Sequence, residues 1–104
     1  MTFCLAYVTV PNKKEAIDLS KNIVKQKLAA CVNIVDSVTS IYSWNNQLQE
    51  DSEIILLVKT KKEKFKKLQQ KIMDLHSYET PCILKIDIKD GNEKYLNWLN
   101  ANCI

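Results

Sequence analysis

Three residues with metal-binding side chains lie close together in one segment: His76, Glu79 and Cys82. An imidazole, a carboxylate and a thiol all bind transition metals, and a thiolate at Cys82 would favour soft ions such as Cu(I) or Zn(II) over hard ones. His76 is the only histidine of the chain, so a complete site would need ligands from neighbouring copies. The alternative is an interface role, in which a backbone carbonyl or a carboxylate holds the ring of His76 by a hydrogen bond.

Aromatic residues mark a second set of candidates, for an interface or an intersubunit pocket: Tyr42, Trp44, Tyr78 and Trp98. Tyr42 and Trp44 could stack on a ligand, but aromatic side chains are enriched in interface cores, which favours anchoring. Tyr78 and Glu79, beside His76, would close a subunit seam or line a pocket within it. Trp98 is expected to pack a terminal helix against the sheet or against a neighbour.

Composition argues against catalysis and against nucleic-acid binding. No hydroxyl or thiol nucleophile is placed beside the single histidine by any motif, and no paired-carboxylate motif occurs. All 15 basic residues are lysines, so bidentate arginine contacts to phosphate or guanine are impossible. Seven lysines between Lys59 and Lys71 are typical of the solvated face of a helix. We expect a protein that is not an enzyme and has no organic cofactor.

Length and cysteine usage indicate one reduced, cytoplasmic domain spanning residues 1–104. No segment approaches the ~20 apolar residues of a membrane span, and the N-terminus lacks the basic region of a signal peptide. The four cysteines, Cys4, Cys31, Cys82 and Cys103, form no Cys-x-x-Cys pair. We therefore expect free thiols and no membrane association.

The order of predicted elements indicates an α+β fold. Phe3 to Val10 is apolar on both faces and predicts a buried strand, and Asn12 is a good N-cap for the helix that follows. Thr60 is predicted to cap a second helix, and Ile83 to Ile88 to form a last strand. A short terminal helix is predicted to carry Tyr95, Leu96, Trp98 and Leu99. The pattern is that of a ferredoxin-like split βαβ sandwich, with an antiparallel sheet, two helices on one face and an extra C-terminal helix.

A long β-hairpin is the most distinctive predicted element. Its arms run from Ala30 to Trp44 and from Leu48 to Thr60, which at about 3.3 Å per residue would reach roughly 45 Å and project past the core. A two-residue turn would place Val38 opposite Glu53, whereas a three-residue loop places it opposite Ile54. We predict the three-residue loop, because it pairs apolar with apolar residues. A projecting hairpin with exposed aromatics is expected to pair with another copy of the chain.

Five short motifs, in this order, together resemble the CutA family of divalent-cation tolerance proteins. They lie at residues 28–34 (LAACVNI), 40–44 (SIYSW), 57–60 (LVKT), 76–81 (HSYETP) and 95–98 (YLNW). The resemblance spans nearly the whole chain. It implies a ferredoxin-like subunit, a tight homotrimer built by pairing the long hairpins, and a shape similar to the PII signalling trimers.

The chain departs from the family pattern at three positions. Ser77 replaces the proline common after the histidine, and Asn46 stands where the hairpin tip usually has glycine. Cys82 stands where an acidic residue commonly follows the proline. This last change bears on metal preference, since it exchanges a hard carboxylate for a soft thiol.

Three functions follow from the resemblance as hypotheses. The first is a homotrimeric divalent-cation or copper tolerance protein that binds metal ions through the segment from His76 to Cys82. The second is a PII-like trimeric regulator that binds a small metabolite between subunits. The third is a trimeric scaffold that anchors partner proteins.

Overall fold

The computed structural model describes residues 2–104 and contains one four-stranded antiparallel sheet with three α-helices. The elements run in the predicted order, which confirms the ferredoxin-like α+β fold. They are β1 (Phe3–Val10), α1 (Lys13–Lys25), β2 (Cys31–Trp44), β3 (Gln47–Lys61), a 3₁₀ turn (Lys62–Lys64), α2 (Phe65–Leu75), β4 (Ile83–Ile88) and α3 (Glu93–Ala101). The strand order across the sheet is β2-β3-β1-β4. Among residues 2–104, no helix combines the length and apolar character that crossing a membrane requires.

The main core fills the space between one sheet face and the helices α1 and α2. Alternate residues of a strand point to the same side, so β1 and β3 each present every second residue to this layer. The buried members are Ala6, Val8, Val10, Leu56 and Val58 from the strands and Ala16, Leu19, Ile23, Leu68 and Ile72 from the helices. A second cluster holds the terminal helix α3 in place, through Phe3, Ala30, Leu99 and Cys103.

Local sequence predicts the N-terminus of α1 correctly but not that of α2. The side chain of Asn12 caps α1 as predicted, with its Oδ1 accepting the Glu15 N–H at 2.8 Å. The predicted cap at Thr60 is wrong, because β3 continues through Thr60 to Lys61, paired with β1. The Thr60 hydroxyl donates instead to the Leu28 carbonyl at 2.7 Å, and α2 starts after a 3₁₀ turn without a side-chain cap.

The hairpin of β2 and β3 gives the molecule its long axis, 45 Å against 25 and 23 Å for the other two. The predicted three-residue loop is wrong. Trp44 pairs with Gln47, and Asn45 and Asn46 form a two-residue turn with φ of 51° and 63°, the conformation that such hairpin turns require. Val38 therefore lies opposite Glu53.

A β-bulge reconciles this turn with an apolar base. Between Val35 and Val38, β2 has one residue more than β3, and Ser37 takes a φ of 59°. On the side of the bulge away from the hairpin tip, Ile34 pairs with Leu56 and Val32 with Val58. The bulge therefore produces the pairing of apolar residues for which the three-residue loop was predicted. Between the bulge and the hairpin tip, Tyr42 and Trp44 lie on the sheet face opposite the core, together with Gln49 and Glu53.

Candidate functional site

The segment between α2 and β4 is held by the single histidine. The side chain of His76 is fully buried. Its Nε2 lies 2.8 Å from the Thr9 carbonyl oxygen, and its Nδ1 accepts the N–H of Tyr78 at 3.0 Å. A carbonyl can only accept and an N–H can only donate, so these partners assign the neutral imidazole with its proton on Nε2. Both ring nitrogens are thereby engaged within the protein.

Glu15 supports the same segment from α1. Its Oε2 lies 3.6 Å from Nδ1 of His76, but an unprotonated Nδ1 offers no charge, so this approach is not an ion pair. The carboxylate instead accepts the backbone N–H of Ser77 at 3.1 Å. Two consecutive peptide N–H groups after α2, those of Ser77 and Tyr78, therefore donate to side chains. These hydrogen bonds fix the backbone at Tyr78 and so orient its side chain.

Tyr78 connects this segment to the hairpin. Its hydroxyl donates to Oε2 of Glu53 at 3.1 Å. Burial, followed by this hydrogen bond and the charge of Glu53, raises the pKa of Tyr78 to about 12. The phenol is therefore a permanent donor at neutral pH, and it keeps the carboxylate of Glu53 in place.

Tyr42 makes a similar contact nearer the hairpin tip. Its hydroxyl donates to the carboxylate of Asp51 on the paired strand. That hydrogen bond is the main cause that raises the pKa of Tyr42 above its ordinary value. Two tyrosines thus each present a ring beside a carboxylate on the same side of the sheet.

Cys82 lies immediately before β4 and is partly buried. Burial, and then the negative charge of Glu53, raise the pKa of its thiol above the ordinary value, while a hydrogen bond with Thr9 acts in the opposite direction. Cys82 is therefore a protonated thiol at neutral pH unless a cation is present to favour the thiolate.

These side chains surround one groove of about 630 Å³ on the sheet face opposite the core. We call it the hairpin groove. Its lining residues are Thr9, Tyr42, Trp44, Gln49, Glu53, Ser77, Tyr78, Glu79, Thr80 and Cys82. Two of them are carboxylates and none is a lysine, so the groove is acidic although the whole chain carries a formal net charge of +3.

The structure brings most of the candidates from sequence to this groove. Tyr42, Trp44, Tyr78, Glu79 and Cys82 all line it. His76 lies directly behind Tyr78, with the two ring centroids 4.9 Å apart, but is not part of the lining. Trp98 lies elsewhere, on α3, where its ring contacts Tyr95 at a centroid distance of 5.5 Å.

Sequence reasoning missed Glu53, the carboxylate nearest the centre of these contacts. Its exposed fraction is 9%, and it bonds with Tyr78 and influences Cys82. Glu53 could have been found from a two-residue turn, which places it opposite Val38. That turn was rejected in favour of a loop that pairs apolar residues with each other.

The fit to a metal ion is incomplete within one chain. Among residues 2–104, no group of three or more His, Cys, Asp or Glu side chains is arranged to hold a metal ion. The groove offers one soft donor group, the thiol of Cys82, and two hard ones, the carboxylates of Glu53 and Glu79. Both ring nitrogens of His76 are already hydrogen-bonded within the protein. A full coordination shell would therefore need side chains from another copy of the chain.

Between the hairpin groove and α3, part of this sheet face is apolar and exposed, whereas Phe3 at its far end is covered by α3; we call the exposed part the open sheet face. Exposed fractions are 57% for Leu84, 48% for Ile86 and 40% for Val35. Strand alternation places four partly buried residues on the same side: Leu5, Tyr7, Ile55 and Leu57. An apolar patch of this kind is typical of an interaction surface.

The sequence matches a family model described as CutA1 divalent ion tolerance protein over residues 4–102. The chain belongs to this family. The family is not a known enzyme family, and membership supports a general role in divalent-cation tolerance.

Similar proteins agree with this membership of the CutA1 family. The chain is 45% identical over 95 residues to the divalent-cation tolerance protein CutA of Thermus thermophilus, covering 91% of this chain and 92% of that protein. It is 41% identical to the protein CutA, chloroplastic, of Arabidopsis thaliana, covering 91% of this chain but only 52% of that protein. The chain thus spans about half the length of the plant relative.

The fold of the family is equally clear. The crystal structure of CutA1 from Oryza sativa superposes on this CutA1 family member with a TM-score of 0.98 at 38% identity, covering 100% of this chain and 95% of that one. The ferredoxin-like arrangement, including the long hairpin, is thus the fold of a solved CutA1 protein.

Proposed function

We propose that this protein acts in divalent-cation tolerance as a cytoplasmic homotrimer that binds a metal ion in the hairpin groove. The observation that supports this most directly is that the thiol of Cys82 and the carboxylates of Glu53 and Glu79 line the same groove. A thiol and carboxylates in one groove are donor groups for Cu(I) or Zn(II). The proposed action is binding, not catalysis.

Assembly is supported by the open sheet face. Permanent interfaces bury roughly 2,000 Å² or more and resemble a domain core cut in half, and the apolar residues of this face have that character. The hairpin groove lies at the hairpin end of the same face, so a neighbour that covers the apolar residues would also approach the groove. The proposal of three copies, rather than another number, rests on the family resemblance.

Within this proposal, Cys82 and Glu79 are the metal ligands, joined by groups from a neighbouring subunit, and His76 positions their segment. His76 itself would bind a metal only by giving up the Tyr78 N–H or the Thr9 carbonyl, and that loss disfavours it as a ligand. Four free cysteines fit a reducing compartment and support the cytoplasmic location.

Native mass spectrometry of the untagged, reduced protein with Cu(I) or Zn(II) tests the metal proposal. We expect a trimer that gains a fixed number of ions, three per trimer or one shared ion. Cys82→Ser should abolish this uptake, whereas Cys31→Ser, which alters a thiol outside the groove, should leave it unchanged. A nonspecific ladder of adducts, or equal uptake by Cys82→Ser, would contradict the proposal.

A second candidate function is the binding of a small metabolite in the same groove. The groove volume of about 630 Å³ lies within the range of small-molecule sites, and such sites are typically lined by aromatic residues with a few placed polar groups. Tyr42, Trp44 and Tyr78 supply the rings, and Glu53 and Gln49 supply polar groups. This observation favours a PII-like regulator over a scaffold without a ligand.

A further inference from the structure

We infer that the hairpin groove binds an organic ammonium ion, a small-molecule amine whose positive charge pairs with Glu53 between the rings of Tyr42, Trp44 and Tyr78. The inference rests on the second candidate function, the binding of a small molecule in this groove, and adds its chemical class. Three features carry it: a buried carboxylate without a cation among the described residues, the aromatic lining, and the absence of lysine from the described residues that line the groove.

The buried carboxylate is the first feature. Glu53 is 9% exposed, yet no lysine or histidine lies within 4.0 Å of its oxygens in the part of the chain that the structure describes. Its one side-chain hydrogen bond, from Tyr78, occupies Oε2 and leaves Oε1 for a further donor. Burying a carboxylate is costly unless it is paired and hydrogen-bonded, so this position is suited to a cationic donor.

The aromatic lining is the second feature. Faces of tryptophan and tyrosine attract cations within about 6 Å of the ring centre. Tyr42, Trp44 and Tyr78 all line the groove, and the hydroxyls of both tyrosines are held by carboxylates. An ammonium group carrying an apolar substituent would use the carboxylate and the rings at once, whereas a bare metal ion would leave most of the groove unfilled.

The sign of the charge is the third feature. The groove is lined by Glu53 and Glu79 and by no lysine, although the chain has 15 lysines. Phosphates and carboxylates would meet like charge there without a compensating donor cation. The groove thus selects against nucleotides and organic acids and in favour of amines.

The test is a titration of the full-length protein with phenethylamine, compared with its neutral and anionic analogues 2-phenylethanol and phenylacetate. Binding is followed in ¹H–¹⁵N spectra through the indole N–H of Trp44, with Trp98 as an internal reference outside the groove. We expect saturable shifts of Trp44 with phenethylamine, weaker binding of 2-phenylethanol, and none of phenylacetate.

Variants test Glu53 as the counter-ion of the amine. Glu53→Gln keeps the shape and an acceptor for Tyr78 but removes the charge, and should weaken phenethylamine binding by about tenfold or more. Glu50→Gln makes the same charge change on the other side of β3 and should leave the affinity unchanged. Cys31→Ser, which alters a thiol outside the groove, should also leave it unchanged.

Several results would overturn the inference. Binding of phenylacetate as tightly as phenethylamine would retain a small-molecule site but contradict its preference for cations. Equal affinities of Glu53→Gln and the unmodified protein would remove Glu53 as the counter-ion. Absence of any binding would contradict both small-molecule binding and the amine, and dissociation of the trimer by Glu53→Gln would then indicate that the carboxylate serves assembly instead.

Discussion

At the residue scale, the site depends on a histidine that organises its neighbours while keeping its own nitrogens occupied. His76 bonds the Thr9 carbonyl of β1 and the N–H of Tyr78, so it ties the segment before β4 to the sheet. Tyr78 then reaches Glu53 on the hairpin. One neutral imidazole and one phenol thereby connect three parts of the chain around the groove.

The Tyr78–Glu53 contact predicts a stability change at alkaline pH. The pKa of Tyr78 is raised to about 12 in the folded protein, against about 10 in an unfolded chain. The folded state therefore holds the proton more tightly, and this contribution is complete below about pH 10 and is lost as pH rises toward about 12. Urea unfolding at pH 9 to 11.5 should show a loss of stability that Tyr78→Phe partly removes.

Tyr95→Phe is the control for this measurement, because Tyr95 bonds with Lys59 rather than with a carboxylate. Lysine titration affects the unmodified protein and both variants alike, so the comparison isolates the phenol. If Tyr78→Phe and the unmodified protein lost stability in parallel across this range, the Tyr78–Glu53 contact would not be the cause.

At the element scale, the bulge in β2 determines which side chains face the groove. Without the bulge, the side-chain alternation of Val32 to Val35 would continue unchanged to the hairpin tip. Tyr42 and Trp44 would then lie on the side of the sheet that α1 and α2 cover. The extra residue at the bulge lets the two-residue turn form and keeps both aromatics on the side of Glu53. The hairpin is thus shaped locally at Ser37 and at Asn45–Asn46.

Substitutions at Ser37 test this role. Because Ser37 has a φ of 59°, a conformation that costs an L-residue about 1–2 kcal/mol and that glycine adopts freely, Ser37→Gly should raise the free energy of unfolding by about 0.5–1 kcal/mol after the greater entropy loss of glycine is subtracted. Ser37→Val should lower it by about 1–2 kcal/mol, since a β-branched residue is strained there. Chemical denaturation at one fixed protein concentration measures both.

Ser52 provides the matched control, because it is an exposed serine within β3 in the same hairpin. In an ordinary strand position the order reverses: Ser52→Gly should destabilise, and Ser52→Val should be neutral or slightly stabilising. The same order of glycine and valine at both positions would contradict a special conformation at Ser37.

Sequence patterns predicted the elements better than their junctions. Apolar runs and the Asn12 cap predicted β1, β4 and α1, because burial and capping are local signals. The Thr60 cap and the three-residue loop were wrong, since strand pairing extended β3 and a bulge absorbed the register. Both depend on contacts between distant residues, which local patterns do not encode.

The candidate site was predicted in part for the same reason. Aromatics and metal-binding side chains near the motifs are visible as residue types, and Tyr42, Trp44, Tyr78, Glu79 and Cys82 do share one groove. Glu53 was missed because its position follows from the register, and Trp98 lies elsewhere because α3 packs on a separate cluster. The open sheet face was also missed, since apolar residues on both sides of a strand indicate burial without saying what buries them.

At the scale of the whole molecule, the open sheet face and the hairpin groove form one continuous side of the sheet. The opposite side is covered by α1 and α2 and forms the core. A subunit with an exposed apolar area on its sheet gains stability by association. Assembly is therefore the central claim, because the proposed metal site is completed by a neighbour.

The most direct test is the molar mass in solution of the unmodified protein, Ile86→Asp and Met73→Asp, by sedimentation velocity over a range of concentrations. Ile86 and Met73 have the same exposed fraction, 48%, but Ile86 lies on the open sheet face and Met73 on α2. We predict a trimer for the unmodified protein and for Met73→Asp, and dissociation of Ile86→Asp. A monomeric unmodified protein, or an intact Ile86→Asp trimer, would contradict assembly through the open sheet face.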